Sequence, residues 1–129
     1  MKLKRLEHLD LVVSDLERSV EFYKKFGMKV LGRLDNPKTV FLGYGDKTSP
    51  VVELHQAEPG QKPGLGHVAF YVDDVEQAYQ EATAKGVHFH TKPQWGSQSG
   101  RTVANCKDPD GIEIQLAHKT TRGEYEDNR

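Results

Sequence analysis

The chain has 129 residues, with 18 Lys and Arg against 19 Asp and Glu, for a formal net charge of −1. That balance argues against a nucleic-acid binder, whose affinity comes from clustered cations, and no apolar run approaches the ~20 residues that span a bilayer. One cysteine, Cys106, leaves no internal disulfide, and no apolar core follows the basic Met1–Arg5 segment, so a soluble, cytoplasmic single domain is expected.

In chain order, Leu6 to Val13 alternates with strand periodicity, Leu9, Leu11 and Val13 on one face and His8, Asp10 and Val12 on the other. A helix is predicted over about 15–26, with Ser14 and Glu17 spaced as a capping box. Gly27 is suited to a left-handed helix end. Three β segments follow, at about 28–34, 39–44 and 50–56. A shift of 59 residues then lays Leu6, His8, Val13, Asp15, Glu17 and Gly27 on Leu65, His67, Val72, Asp74, Glu76 and Gly86. Six identities in one ungapped 22-residue window mark an internal repeat. The second copy predicts a helix over 74–85, with Asp73 and Glu76 as its capping pair, and strands at about 87–91, 101–106 and 112–118. The module is βαβββ, used twice, over about 1–60 and 61–118, with a polar tail at 119–129 that is expected to be mobile. The fold class expected is α+β, two tandem βαβββ modules whose curved mixed sheets surround a cleft.

Alternation decides which polar residues share a face. The apolar residues Leu9, Leu11 and Val13, with Val52 and Leu54, must cover the first helix, which leaves His8, Glu53 and His55 on the opposite face. In the second copy Val68, Phe70 and Val72 play the covering role with Ile112, Ile114 and Leu116, leaving His67, Glu113, Gln115 and Tyr71 opposite. Two imidazoles with oxygen donors and room for a substrate are how a catalytic divalent-metal site is built. Either histidine alone reads as an ordinary strand residue; their equivalence under the repeat favours the metal reading.

The motifs Leu6–Glu17 (LEHLDLVVSDLE), Val51–Leu54 (VVEL), Gly66–Val75 (GHVAFYVDDV) and Asp108–Ile114 (DPDGIEI) together resemble the vicinal oxygen chelate superfamily, over about residues 3–118. That group includes glyoxalase I, extradiol dioxygenases, methylmalonyl-CoA epimerase and fosfomycin- and bleomycin-resistance proteins. The resemblance implies one divalent metal ion (zinc, nickel or cobalt) held by His8, Glu53, His67 and Gln115, where most relatives have glutamate in place of Gln115. Glu113 is the fallback ligand if the register slips by two residues. Glu53 is the implied proton acceptor in a glyoxalase-like lyase or isomerase acting next to a carbonyl on a small, vicinally chelated substrate. The arginine and asparagine that relatives use to anchor glutathione correspond to Val12 and Ala57, so the expected substrate lacks the glutathione tail. An extradiol-type dioxygenase with ferrous iron and a metal-free ligand-sequestering protein are the alternatives. A homodimer is expected from open sheet edges.

The remaining residues of interest are read as follows. His55 and Tyr71 are expected to line the cleft and contact substrate. Trp95 and Arg101, in a glycine- and serine-rich loop at 92–101, are placed to close over an anionic substrate, and Glu113 is placed toward the cleft mouth. His88 and His90 are read as a solvated strand face, and Cys106 as an inert buried thiol.

Overall fold

The structure, a computed structural model, describes residues 1–96 and 99–119. The expected polar tail therefore lies, but for the backbone of Lys119, outside the described residues. The first module runs β1 (Arg5–Val13), α1 (Leu16–Lys24), β2 (Lys29–Asp35), β3 (Lys38–Gly43) and β4 (Val51–Gln56). The second repeats the order as β5 (Gly64–Tyr71), α2 (Val75–Ala84), β6 (Phe89–Trp95), β7 (Arg101–Lys107) and β8 (Glu113–Lys119). This is the α+β, twofold βαβββ architecture that the repeat predicts. Strands are ordered β2-β3-β4-β1 in the first module and β5-β8-β7-β6 in the second. In each, the first strand pairs parallel with the last, and the others pair antiparallel. By internal contacts the described chain divides into two compact units, one holding His8–Gly66 and the other Met1–Glu7 with His67 to Lys119. Among the described residues, no helix is long and apolar enough to cross a membrane.

Each helix covers the face that alternation assigns to it. Leu16, Val20, Val40, Leu42, Val52 and Leu54 form the first core, with Leu11 and Val13 packed on it. Val72, Val75, Ala78, Ala104 and Leu116 form the second, with Phe70, Tyr79 and Phe89 around it. Full burial of a Val or Leu side chain contributes about 1.5–3 kcal/mol, so these clusters set the pairing register. Ile112 does not join the second core: it lies before β8 begins and is exposed.

Two local expectations change. The helix caps are Asp15 and Asp74, whose side chains accept from the backbone N–H of Arg18 and Gln77 at 3.1 Å. They lie one residue beyond the Ser14 and Asp73 that the capping-box spacing suggests. The cause is tertiary. The first helical amide, Leu16, donates to Gln56 Oε1 on β4 at 3.0 Å, and Val75 donates to His118 Nδ1 on β8 at 2.9 Å. Strand side chains thus fix where each helix starts, and Glu17, freed from capping, makes a paired contact with Arg33 at 2.8 and 3.0 Å.

The second change concerns β6, which continues to Trp95 where the composition predicts a loop from Lys92. Lys92-Pro93 reads as a breaker, but β6 ends its strand order, and a proline lacking its N–H is tolerated on an edge strand. The register shifts between Thr91 and Gln94 absorb it. Gly27 and Gly86 close their helices with φ of 87° and 96°, the left-handed conformation predicted for both.

Candidate functional site

In the first unit, β1 and β4 lie side by side with His8 opposite Val51, Asp10 opposite Glu53 and Val12 opposite His55. Cross-strand partners share a face, so this register places His8, Asp10, Glu53 and His55 on one surface, away from α1. His8 is 1% exposed and Glu53 5%, with His8 Nδ1 3.5 Å from Glu53 Oε2. Two ligand atoms on one ion at ~2.1 Å each stand about 3.0–3.4 Å apart in octahedral or tetrahedral geometry. The pair stands just beyond that spacing, so a small side-chain adjustment would bring both atoms onto one divalent ion.

His55 has a defined protonation pattern. Thr39, opposite it on β3, gives its hydroxyl hydrogen to the Pro37 carbonyl at 3.0 Å. The same oxygen must then accept from His55 Nδ1, 2.8 Å away. His55 Nε2 meets the Asp10 carboxylate, an acceptor, and lies 3.7 Å from Glu53 Oε1. Both ring nitrogens thus face acceptors, an arrangement that favours the protonated ring. Burial opposes that charge, but the Asp10 and Glu53 carboxylates outweigh it and raise the pKa from 6.5 to about 9. Asp10, Glu53 and His55 also form one of the acid–imidazole groups compact enough to hold an ion. Beside them, Leu31, Phe41 and Val51 form a separate buried apolar cluster. A Cβ on Gly66 would fall 1.9 Å from Asp10 Oδ2, so this carboxylate can sit where it does only against a glycine.

In the second unit, Ala69 lies opposite Gln115 and Tyr71 opposite Ala117 on β5 and β8. His67, two residues before Ala69, therefore stands to Gln115 as His8 stands to Glu53. Gln115 is 8% exposed, and its Nε2 donates to Asn105 Oδ1 at 3.3 Å. Asn105 Nδ2 donates to Glu113 Oε2 at 3.1 Å, and His90 Nε2 contacts the same oxygen. His90, read from sequence as part of a solvated face, thus has a specific partner. Glu113 sits inside a hydrogen-bonded chain that ends on Gln115. Cys106 is buried, and burial, then the Glu113 charge, pushes its thiol pKa up, the inert thiol expected.

Two of the other sequence candidates, Tyr71 and Arg101, have structural partners. Tyr71 lies under the Arg5 guanidinium, 4.5 Å from ring centroid to Cζ. Arg101 begins β7, is 4% exposed and pairs through Nε with Glu7 Oε1 at 2.5 Å. Trp95 ends β6 and is exposed. Asp10, Thr39 and Asn105 carry much of the site's polar network and are not candidates on sequence grounds. Alternation places Asp10 beside His8, but only strand pairing shows what Thr39 and Asn105 face.

Known proteins resemble this chain in sequence and in fold. Residues 5–116 match the family model described as Glyoxalase/Bleomycin resistance protein/Dioxygenase superfamily. The chain is 36% identical over 130 residues to lactoylglutathione lyase of Escherichia coli O157:H7, covering 92% of this chain and 96% of that protein. It is 35% identical to lactoylglutathione lyase GLX1 of Arabidopsis thaliana, over 90% of this chain. It spans only 44% of that plant protein's length. Among solved structures, methylmalonyl-CoA epimerase of Streptomyces coelicolor superposes with a TM-score of 0.78 at 21% identity, over 93% of this chain and all of that one. A hypothetical protein of Bacillus halodurans gives 0.75 at 22%, over 92% of this chain and 96% of that one. At that identity the two structures show the fold alone. The twofold βαβββ architecture, the matched family model and the bacterial relatives together place the chain in the glyoxalase/bleomycin-resistance/dioxygenase superfamily.

Proposed function

We propose that this protein is a divalent-metal-dependent, glyoxalase-like lyase or isomerase that moves a proton next to a carbonyl of a small substrate. The observation that carries the reading is the buried His8–Glu53 pair, on adjacent strands of a chain whose bacterial relatives are named lactoylglutathione lyase. The proposed donors are His8, Glu53, His67 and Gln115. When bound, the ion would polarise vicinal substrate oxygens as a Lewis acid. Glu53 is the proposed proton acceptor: it is buried, lies beside His55 and shares a face with His8. Asp10 and Thr39 hold His55 in place.

The proposed substrate carries two adjacent oxygens without a glutathione tail. Val12 and Ala57 stand where relatives anchor that tail. Val12 lies opposite His55 in the strand register, and neither side chain offers a hydrogen bond to a carboxylate. His55, Tyr71 and Trp95 are the side chains proposed to contact substrate.

The test is metal analysis of protein purified without added metal, for wild type, His8→Ala, His67→Ala and Glu53→Gln, with circular dichroism as the fold control. One equivalent of zinc, nickel or cobalt in the wild type, lost in each variant, is the expected result. Iron points to the dioxygenase chemistry of the superfamily instead. A metal-free wild type, or metal retained in both histidine variants, overturns the reading. Proton transfer is followed separately as deuterium uptake from solvent into small α-hydroxyketones and into the hemithioacetal of methylglyoxal and glutathione. Uptake is expected in the former only.

A further inference from the structure

We infer that Asn105 is a positioning residue, anchored by Glu113, that turns the Gln115 carboxamide so that its oxygen, not its nitrogen, is presented to the ion. The inference rests on the proposed role of Gln115 as a donor and says what that role requires of its neighbours. A glutamine can act as a metal ligand only through its carbonyl oxygen, because the amide NH2 has hydrogens to give and no lone pair to share. Its two ends are nearly the same size, so packing alone cannot choose between them. A hydrogen-bond partner must.

The choice is made in three steps along β8 and β7. Glu113 Oε2 is a carboxylate oxygen and accepts only, so Asn105 must turn Nδ2 toward it, as it does at 3.1 Å. The Asn105 Oδ1 is thereby directed at Gln115 and requires a donor. Gln115 Nε2 supplies it at 3.3 Å, and Oε1 is left pointing the other way. Two further contacts keep the anchor still: His90 Nε2 on the same Glu113 oxygen, and the Asn105 backbone N–H on Thr91 Oγ1 at 2.9 Å.

The other module supplies an internal control. Asn105 stands opposite Gln115 in the β7–β8 register. The position opposite Glu53 in the β3–β4 register is Phe41, which belongs to an apolar cluster and cannot orient anything. Glu53 needs no such partner, because a carboxylate presents oxygen at both ends. The polar positioning residue occurs where the donor is an amide, and an apolar residue stands in its place where the donor is an acid.

The experiment is calorimetric titration of the metal-free full chain with zinc, comparing wild type, Asn105→Ala, Gln115→Glu and the double variant. Loss of a partner that orients a metal ligand weakens affinity by roughly 10–100-fold, and Asn105→Ala is expected in that range. In the Gln115→Glu background, whose side chain needs no orienting, the same substitution is expected to cost less than about 3-fold. Equal weakening in both backgrounds, as a purely structural role would give, overturns the inference, and so does no weakening in the wild type. Gln115→Ala separates this from failure of the functional reading: unchanged zinc affinity there removes Gln115 from the donor set altogether. Should Asn105→Ala fail to fold by circular dichroism, Glu113→Gln takes its place. It frees Asn105 to turn either way, and the same background dependence is required of it.

Discussion

The two modules share an architecture and differ in what they place on the sheet faces turned away from their helices. The first sets His8, Asp10, Glu53 and His55 on one face, with Thr39 against His55 and the half-buried His55 ring between two carboxylates. The second has Ala69 and Ala117 at the positions of Asp10 and His55, and a neutral amide pair, Gln115 and Asn105, at those of Glu53 and Phe41. At these equivalent positions the first module carries ionisable side chains and the second carries methyl groups and neutral amides. A duplicated fold gives two copies of a scaffold, and substitution at a few equivalent positions is enough to give the two faces different chemistry. The cores differ as well: the first is built from Leu and Val, and the second replaces several of these with Ala and fills the space with Phe70, Tyr79 and Phe89.

Three measurements bear on that comparison. The largest effect concerns the cores. Leu54→Ala and Leu116→Ala each remove a buried leucine and are expected to cost about 2–5 kcal/mol in urea denaturation. Leu54 is the more completely sealed of the two, at 0% exposure against 6%, so it should lie nearer the upper end. A larger loss for Leu116→Ala would contradict this ordering by burial.

Gly66→Ala comes next. The Cβ would meet Asp10 Oδ2 at 1.9 Å, and overpacking of this kind costs about 1–3 kcal/mol. The equivalent position in the first module is Glu7, so this glycine serves the Asp10–His55 pair and not the repeat. Asp10→Ala should relieve most of the penalty in the double variant, measured by the same denaturation. Full additivity would sever the link between the glycine and the carboxylate.

The smallest effect is a pH dependence in the metal-free protein. The folded pKa of His55 is raised from 6.5 to about 9, so the folded state binds the proton more tightly than the unfolded chain does. Its contribution is fully present below pH 6.5 and fades as pH rises toward 9. His55→Gln should remove that slope from a plot of unfolding free energy against pH. A wild-type curve that is flat from 6.5 to 9, or unchanged by the substitution, would refute the raised His55 pKa, and with it the charged character assigned to the first module.

Much of the fold and of the candidate site is legible in the amino-acid sequence. Alternation in Leu6–Val13 places His8 away from the helix because a strand's side chains have a period of two and a half-buried sheet admits one apolar face. The shift of 59 residues puts His67 at the matching place, and the apolar covering residues locate Glu53 and Gln115 by the same rule. Where local pattern and structure part, the causes are tertiary. The caps are Asp15 and Asp74 instead of Ser14 and Asp73 because Gln56 and His118, distant in sequence, bind the first helical amides. Trp95 reads as a loop residue because Pro93 breaks interior strands, whereas β6 is an edge strand. Arg101 reads as a loop-end cation ready for an anion, but it is buried against Glu7, a pairing that no local pattern announces.

The sequence by itself determined the duplicated βαβββ fold, the face on which each histidine lies and the residue types available for chemistry. All of these follow from periodicities within one strand or helix, or from identity between two copies. Only the tertiary structure decided which strands are neighbours and in what register. Register is what sets Thr39 against His55 and Asn105 against Gln115. Protonation of an imidazole and orientation of a carboxamide depend on partners a few ångströms away in space and, in these pairs, 16 and 10 residues away in the chain. Those distances are set by backbone pairing that the packed cores hold in place, so the site's charges and donor directions become readable only once the strands have been paired.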